Sequence, residues 1–100
     1  MDKKLNPLIL HLKYDYYHMI MSGIKTFEYR EKKPYWDKRI KDKKEIIFVP
    51  GYNLDNSINL KADIKEIFII DFDDLPEYAK QEFLESSAPE FYAINFELKS

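Results

Sequence analysis

Cysteine is absent from this 100-residue sequence, and histidine and glycine occur twice each. Without cysteine, the chain has neither disulfides nor thiolate metal ligands. His11 and His18 would need carboxylates to complete a zinc site, so we expect no metal and no cofactor. No apolar run approaches the roughly 20 residues that span a membrane, and the start lacks a signal-peptide pattern. We therefore expect a cytoplasmic protein that does not associate with membranes.

What the chain does contain indicates an ordered core, since 45% of its residues are hydrophobic and 16% are aromatic. Its length predicts a single domain over residues 1–100. The net charge is −2, but residues 25–44 carry nine bases and four acids. A positive surface of this kind suits phosphate-bearing ligands. The alternative is that Lys38, Lys41, Lys43 and Lys44 only keep a loop solvated.

Periodicity predicts an α+β domain. Alternating patterns predict strands, and apolar residues at helical spacing predict helices. Pro34 can open a further short helix or turn. The order of elements indicates a small, strongly bent β-barrel with two packed helices. The predicted strands cover residues 8–13, 26–31, 45–49, 58–72 with a bend or bulge near 65–66, and 91–98, and the predicted helices cover 14–22 and 75–84.

The segment 22–31 combines a helix stop, a strand and several charges. Gly23 follows an amphipathic run at a position that favours positive φ. Beyond it, strand alternation puts Glu28 and Arg30 on one face and Lys25 on the other. The three can converge only if Lys25 lies in the turn. Glu28 and Arg30 either form a surface ion pair or are held ready for a ligand.

A basic aromatic turn follows this strand. Tyr35 and Trp36 lie among cationic residues that include Arg30 and Arg39. Aromatic side chains interleaved with bases suit stacking on a nucleobase while the charges meet phosphate. The alternative is that Trp36, the only tryptophan, is a core or lid residue.

The spacing Gly23-x-Lys25-x-x-Glu28-x-Arg30 resembles the GxKxxExR signature of the ASCH domain, a branch of the PUA-like superfamily. The resemblance implies a β-barrel whose cleft binds RNA or a nucleotide-like ligand, with these four residues at the site. One ASCH-like group removes the acetyl group from N4-acetylcytidine by means of a lysine, a threonine and a distant glutamate. Lys25 matches that lysine, while Glu28 stands where the threonine would be. Other ASCH proteins cleave RNA.

Three functional hypotheses follow. In a binding module, Lys25 and Arg30 contact phosphate or carbonyl groups, Glu28 meets a base edge or holds Arg30, and Tyr35 or Trp36 stacks. In an enzyme, Lys25 and Glu28 act as a general acid/base pair on a modified nucleoside or on RNA. In a purely structural role, Glu28 and Arg30 brace the barrel. The sequence alone indicates neither the ligand nor the oligomeric state.

Overall fold

The computed structural model describes residues 6–51 and 56–99. Each predicted strand is present within a few residues of its predicted bounds. The segment at Pro34 forms a helix, and single 3-10 turns occupy Asn56–Ile58 and Phe72–Asp74. The elements in chain order are β1 (Leu8–Leu12), α1 (Tyr14–Met21), β2 (Phe27–Glu31), α2 (Pro34–Ile40), β3 (Glu45–Pro50), β4 (Leu60–Asp71), α3 (Glu77–Glu82) and β5 (Glu90–Leu98).

The five strands form one curled sheet in the order β1-β3-β4-β5-β2. β1 and β3 are parallel, and the other three pairings are antiparallel. β1 and β2 are the two outer strands, so the sheet is an open half-barrel. The predicted α+β architecture is therefore confirmed, with α1 and α3 as the two predicted helices and α2 as an additional short one.

β4 is the longest strand and bends in its middle. Its first half pairs with β3 from Leu60 to Asp63, and it pairs with β5 from Ala62 to Asp71. The register with β5 shifts between Ile64 and Glu66, which is the predicted bulge. A bulge adds an unpaired residue and increases the local twist. The second half of β4 therefore diverges from β3.

The core is divided into two clusters. The larger contains eleven buried residues, among them Leu8, Leu10 and Leu12 from alternate positions of β1. The smaller contains Leu75, Ala79 and Phe91.

The buried face of α1 differs from the prediction. Helical spacing predicts that Tyr16, Met19 and Ile20 face inward, with Tyr17 and Met21 beside them. In the structure, Tyr17 and Ile20 are buried, whereas Tyr16 and Met19 are half-buried. Tyr16 packs against the larger core cluster and also contacts the ring of Tyr78 on α3, with 5.8 Å between the ring centroids. Within residues 6–51 and 56–99, no helix has the length and apolar character needed to cross a membrane.

Candidate functional site

A cavity of about 160 Å³ opens on the side of the half-barrel where β1 and β2 face each other. We call it the cleft. Its lining comes from the end of β1 with the residue that follows it, from α1, from β2 with Lys25 just before it, and from α3 with the residue after it. The lining residues are His11, Leu12, Lys13, Tyr16, Lys25, Glu28, Tyr29, Arg30, Tyr78, Ala79, Glu82 and Phe83.

The turn after α1 determines where Lys25 lies. Gly23 adopts a φ of 84°, the left-handed conformation expected for a helix stop. The backbone N–H of Gly23 donates to the Ile20 carbonyl at 3.0 Å, and that of Lys25 donates to the Met19 carbonyl at 3.0 Å. Lys25 therefore precedes β2, so the alternation of side chains along that strand does not determine the direction in which Lys25 points. Its side chain is only 2% exposed, and its Nζ donates to the Phe27 carbonyl.

A buried ion network forms the floor of the cleft. Lys25 Nζ lies 2.8 Å from Glu28 Oε1, and Arg30 Nη2 lies 2.7 Å from Glu28 Oε2. The Glu28 side chain is 5% exposed and that of Arg30 is 20% exposed. One carboxylate is thus shared by two cations, and only Arg30 has appreciable contact with solvent.

Arg30 also connects the two outer strands of the sheet. Its Nη2 donates to the His11 carbonyl of β1 at 3.4 Å. Its guanidinium lies 5.2 Å from the ring of Trp36, which packs against the larger core cluster. Arg30 Nε is buried and has no hydrogen-bond partner among the described residues. Arg30 therefore keeps one donor that no group in residues 6–51 and 56–99 accepts.

Three tyrosines surround the ammonium group of Lys25. Its Nζ lies 5.7 Å from the ring centroid of Tyr16, 5.4 Å from that of Tyr29 and 5.3 Å from that of Tyr78. It also donates to the Phe27 carbonyl and, at 3.4 Å, to the Tyr78 hydroxyl. Burial lowers the pKa of Lys25, and the charge of Glu28 partly opposes this effect.

The same surroundings change the acidity of the tyrosines. Burial, together with the nearby Glu82, raises the pKa of Tyr16 to about 12. Burial and the charge of Glu28 raise the pKa of Tyr78 to about 12. The Tyr16 hydroxyl donates to Glu82 Oε1 at 3.1 Å, and Lys13 Nζ approaches the same oxygen at 3.0 Å. These phenols stay protonated at neutral pH and can donate hydrogen bonds.

The structure brings together only some of the residues singled out from the sequence. Lys25, Glu28 and Arg30 meet at the cleft, with Trp36 packed against Arg30. A lysine in the turn after Gly23 was expected to line the mouth of the cleft together with that glycine, but Lys25 lies at the floor. Gly23 does not line the cleft but a second cavity of about 620 Å³, to which Lys25 also contributes.

Tyr35 and Arg39 lie away from the cleft, on the outer side of α2. The guanidinium of Arg39 stacks on the exposed ring of Tyr35 at 3.7 Å. Arg39 also lines a shallow cavity of about 310 Å³ together with Lys38 and Lys43. A basic surface is therefore present, but neither residue reaches the ion network.

Tyr16, Tyr78 and Glu82 are cleft residues that the sequence reasoning did not identify. Helical spacing predicts only that Tyr78 lies in the apolar stripe of the second helix and Tyr16 on the inward face of the first. Periodicity identifies the face on which a tyrosine lies, but it does not show what the hydroxyl meets. For metals, the described part of the chain contains no group of three or more histidine, aspartate or glutamate side chains that could hold an ion.

Neither a protein-family model nor a curated protein sequence matches the chain. Solved structures do match. The hypothetical protein PH0355 superimposes with a TM-score of 0.63 at 19% identity, covering 91% of this chain and 97% of that one. ASCH from Zymomonas mobilis, ZmASCH, superimposes with a TM-score of 0.62 at 18% identity, covering 92% of this chain and 66% of that one.

The half-barrel and its helices define an α+β domain. Within that class, the chain has the ASCH fold, as the superposition on ZmASCH shows. The resemblance indicated by the Gly23 to Arg30 motif is thereby confirmed at the level of the fold.

Proposed function

We propose that the chain is an ASCH domain protein that binds RNA or a nucleotide-like ligand, with one base in the cleft. The observation that carries this proposal is the ion network at the floor of an aromatic-walled cavity. Arg30 is its solvent-accessible cation, and Tyr16, Tyr29 and Tyr78 supply the aromatic surface. Cations next to aromatic faces suit an unstacked base with its phosphate.

The size of the cleft limits what enters it. An apolar cavity of about 150 Å³ holds one benzene ring, and the cleft measures about 160 Å³. One pyrimidine-sized ring therefore fits, while the sugar and phosphate remain at the mouth. There they would meet Arg30 and Lys13, whose side chain is 70% exposed. A whole nucleotide would need more volume, since pockets for complete ligands measure roughly 300–1,000 Å³.

The test is a titration with single-stranded RNA oligonucleotides and with free nucleosides and nucleotides at two salt concentrations. Arg30→Gln should weaken binding by about tenfold or more, because it removes a charge-assisted hydrogen bond. Arg39→Gln is the matched control on the outer side of α2 and should have a smaller effect. Phosphate contacts would make the affinity fall with salt. Failure of all three ligands to bind at low salt would refute the proposal.

A second candidate function is hydrolysis of a modified nucleoside such as N4-acetylcytidine, or of RNA. The lowered pKa of Lys25 favours it, because a neutral amine can accept a proton. However, Lys25 Nζ already contacts Glu28, the Phe27 carbonyl and the Tyr78 hydroxyl. A substrate would therefore have to displace one of these contacts, and Glu28 has both oxygens engaged by cations.

Turnover distinguishes the two candidates. The protein and its Lys25→Ala variant should be incubated with N4-acetylcytidine and with labelled RNA, after thermal unfolding has shown that the variant is folded. Turnover by the wild type that is lost in the variant would support the enzyme. Two equally inert proteins would exclude catalysis on these substrates and leave binding as the function.

A further inference from the structure

The second half of β4 has an open backbone edge. Between Glu66 and Asp71, it pairs with β5 on one side. On its other side, β3 pairs only as far as Asp63, and no other described residue takes over beyond the bulge. The outward-facing N–H and C=O groups of this half-strand therefore lack a partner strand within residues 6–51 and 56–99.

This edge is unusually apolar. Ile67 is 37% exposed, Phe68 42% and Ile69 52%, although their neighbours on β5 are well covered. Exposed sheet edges are normally protected by charges, prolines or bulges in the strand itself, because they otherwise pair with other chains. Here the bulge comes before the segment, and the charges lie only at its ends, with Lys65 and Glu66 on one side and Asp71 on the other.

We propose that this edge pairs antiparallel with the same edge of a second copy of the chain, to form a symmetric dimer. With the twofold axis at Phe68, the two Phe68 side chains oppose each other, and Ile67 opposes the partner's Ile69. Counted along the chain, the same register places Lys65, the residue at the bulge that precedes the segment, opposite the partner's Asp71 at both ends. Opposite charges in directly opposed positions stabilise antiparallel pairs. The segment is thus complementary to itself in charge as well as in apolar character.

Neighbouring registers are less favourable. A shift by one position places Glu66 opposite the partner's Asp71, and a shift in the other direction places both Lys65 and Asp71 opposite apolar residues, whereas the proposed register leaves only Glu66 opposite one, the partner's Ile70. A shift by two positions places Asp63 opposite the partner's Asp71 in one direction, and Ile67 opposite the partner's Asp71 in the other. Like charges in directly opposed positions destabilise a pair. Because both copies contribute the same edge to one twofold interface, the pairing closes as a dimer and does not extend into a fibre.

The test is analytical ultracentrifugation of the full chain over a wide concentration range, with charge reversals at the two ends of the segment. Lys65→Glu and Asp71→Lys should each weaken the dimer by about tenfold or more, because each creates two like-charge pairs. The double variant restores opposite charges and should return the dissociation constant close to that of the wild type. Lys61→Glu, on β4 before the bulge, is the matched control and should have little effect.

Three outcomes would overturn the proposal. The first is a wild-type chain that stays monomeric at every concentration. The second is a dimer that neither charge reversal weakens, since pairing would then occur elsewhere. The third is a double variant whose dimer dissociates as readily as the dimers of the single variants. Far-ultraviolet circular dichroism of each variant separates loss of pairing from loss of fold.

Discussion

Neutralising Glu28 tests whether the floor of the cleft is a buried ion network. Glu28→Gln keeps the shape of the side chain but removes the negative charge shared by Lys25 and Arg30. Lys25 is the more affected partner, because its side chain is 2% exposed whereas that of Arg30 is 20% exposed. Breaking a buried ion pair by removing one partner costs about 3–5 kcal/mol. The glutamine oxygen still accepts a hydrogen bond, so we expect about 3 kcal/mol.

The measurement is urea unfolding followed by fluorescence of Trp36, the single tryptophan, which packs against the larger core cluster. The midpoint should fall while the slope with denaturant stays unchanged. Lys13→Met is the matched control, because it breaks a 3.0 Å ion pair whose lysine is 70% exposed. That substitution should cost less than about 1 kcal/mol. Equal costs for the two variants would refute the assignment of Glu28 to a buried network.

The pH dependence of this variant provides a second check. Burial lowers the folded-state pKa of Lys25, whereas the unfolded chain has the ordinary value of 10.5. Between the two values, the unfolded chain binds the proton and the folded chain does not, so this group makes stability rise with pH. Without the charge of Glu28 the folded pKa falls further. The cost of Glu28→Gln should therefore shrink as the pH rises towards 10.5, and a cost independent of pH would contradict the argument.

Three further predictions concern other parts of the fold. Tyr16 and Tyr78 have a pKa of about 12 in the folded state and of 10.0 in the unfolded chain. Their contribution to stability is therefore fully present below pH 10 and is lost as the pH rises through about 12. In an ultraviolet titration, the Tyr78→Phe variant should show one fewer phenol that ionises late. Gly23→Ala should lower the free energy of unfolding in urea by about 1–2 kcal/mol, because a φ of 84° is strained for alanine. No clash adds to this loss, since a Cβ at this position would meet nothing within 4 Å. Phe48→Ala should cost about 3–5 kcal/mol, whereas Leu84→Ala, at a 62% exposed position, should cost little.

The contradicting results are equally specific. A Tyr78→Phe variant that leaves the late phase of the ultraviolet titration unchanged would contradict the raised pKa of Tyr78. A loss well above about 2 kcal/mol for Gly23→Ala would mean that more than backbone strain is involved. Equal losses at Phe48 and Leu84 would contradict the assigned core.

Local patterns predicted the elements of the fold well, because neighbouring residues determine them. The alternation of β1, the stop at Gly23 and the irregularity near Lys65 are all properties of short stretches. The strand order was not predicted, because it depends on pairings between distant segments. Only the general expectation of a bent sheet with helices could come from the order of elements.

The site was predicted less completely, because it depends on which surfaces meet. The motif identified Lys25, Glu28 and Arg30, but alternation alone would have separated the lysine from the other two. Tyr16 and Tyr78 come from helices that are far apart in sequence, and they meet only because both helices pack at the open side of the sheet. The basic aromatic turn was a plausible part of the site, yet Tyr35 and Arg39 point away from it because α2 turns only Trp36 towards Arg30.

The two walls of the cleft differ in what supports them. β1 and α1 rest on a cluster of eleven buried residues, whereas α3 rests on a cluster of three. Regions with few buried contacts open by local unfolding at a lower free energy than the whole chain. We therefore expect the amides of α3 to exchange with solvent well before those of β1. If a base binds in the cleft as proposed, transient detachment of α3 would be a route by which it enters, and the rate of entry by that route would depend on the packing of Leu75, Ala79 and Phe91 rather than on the charged floor.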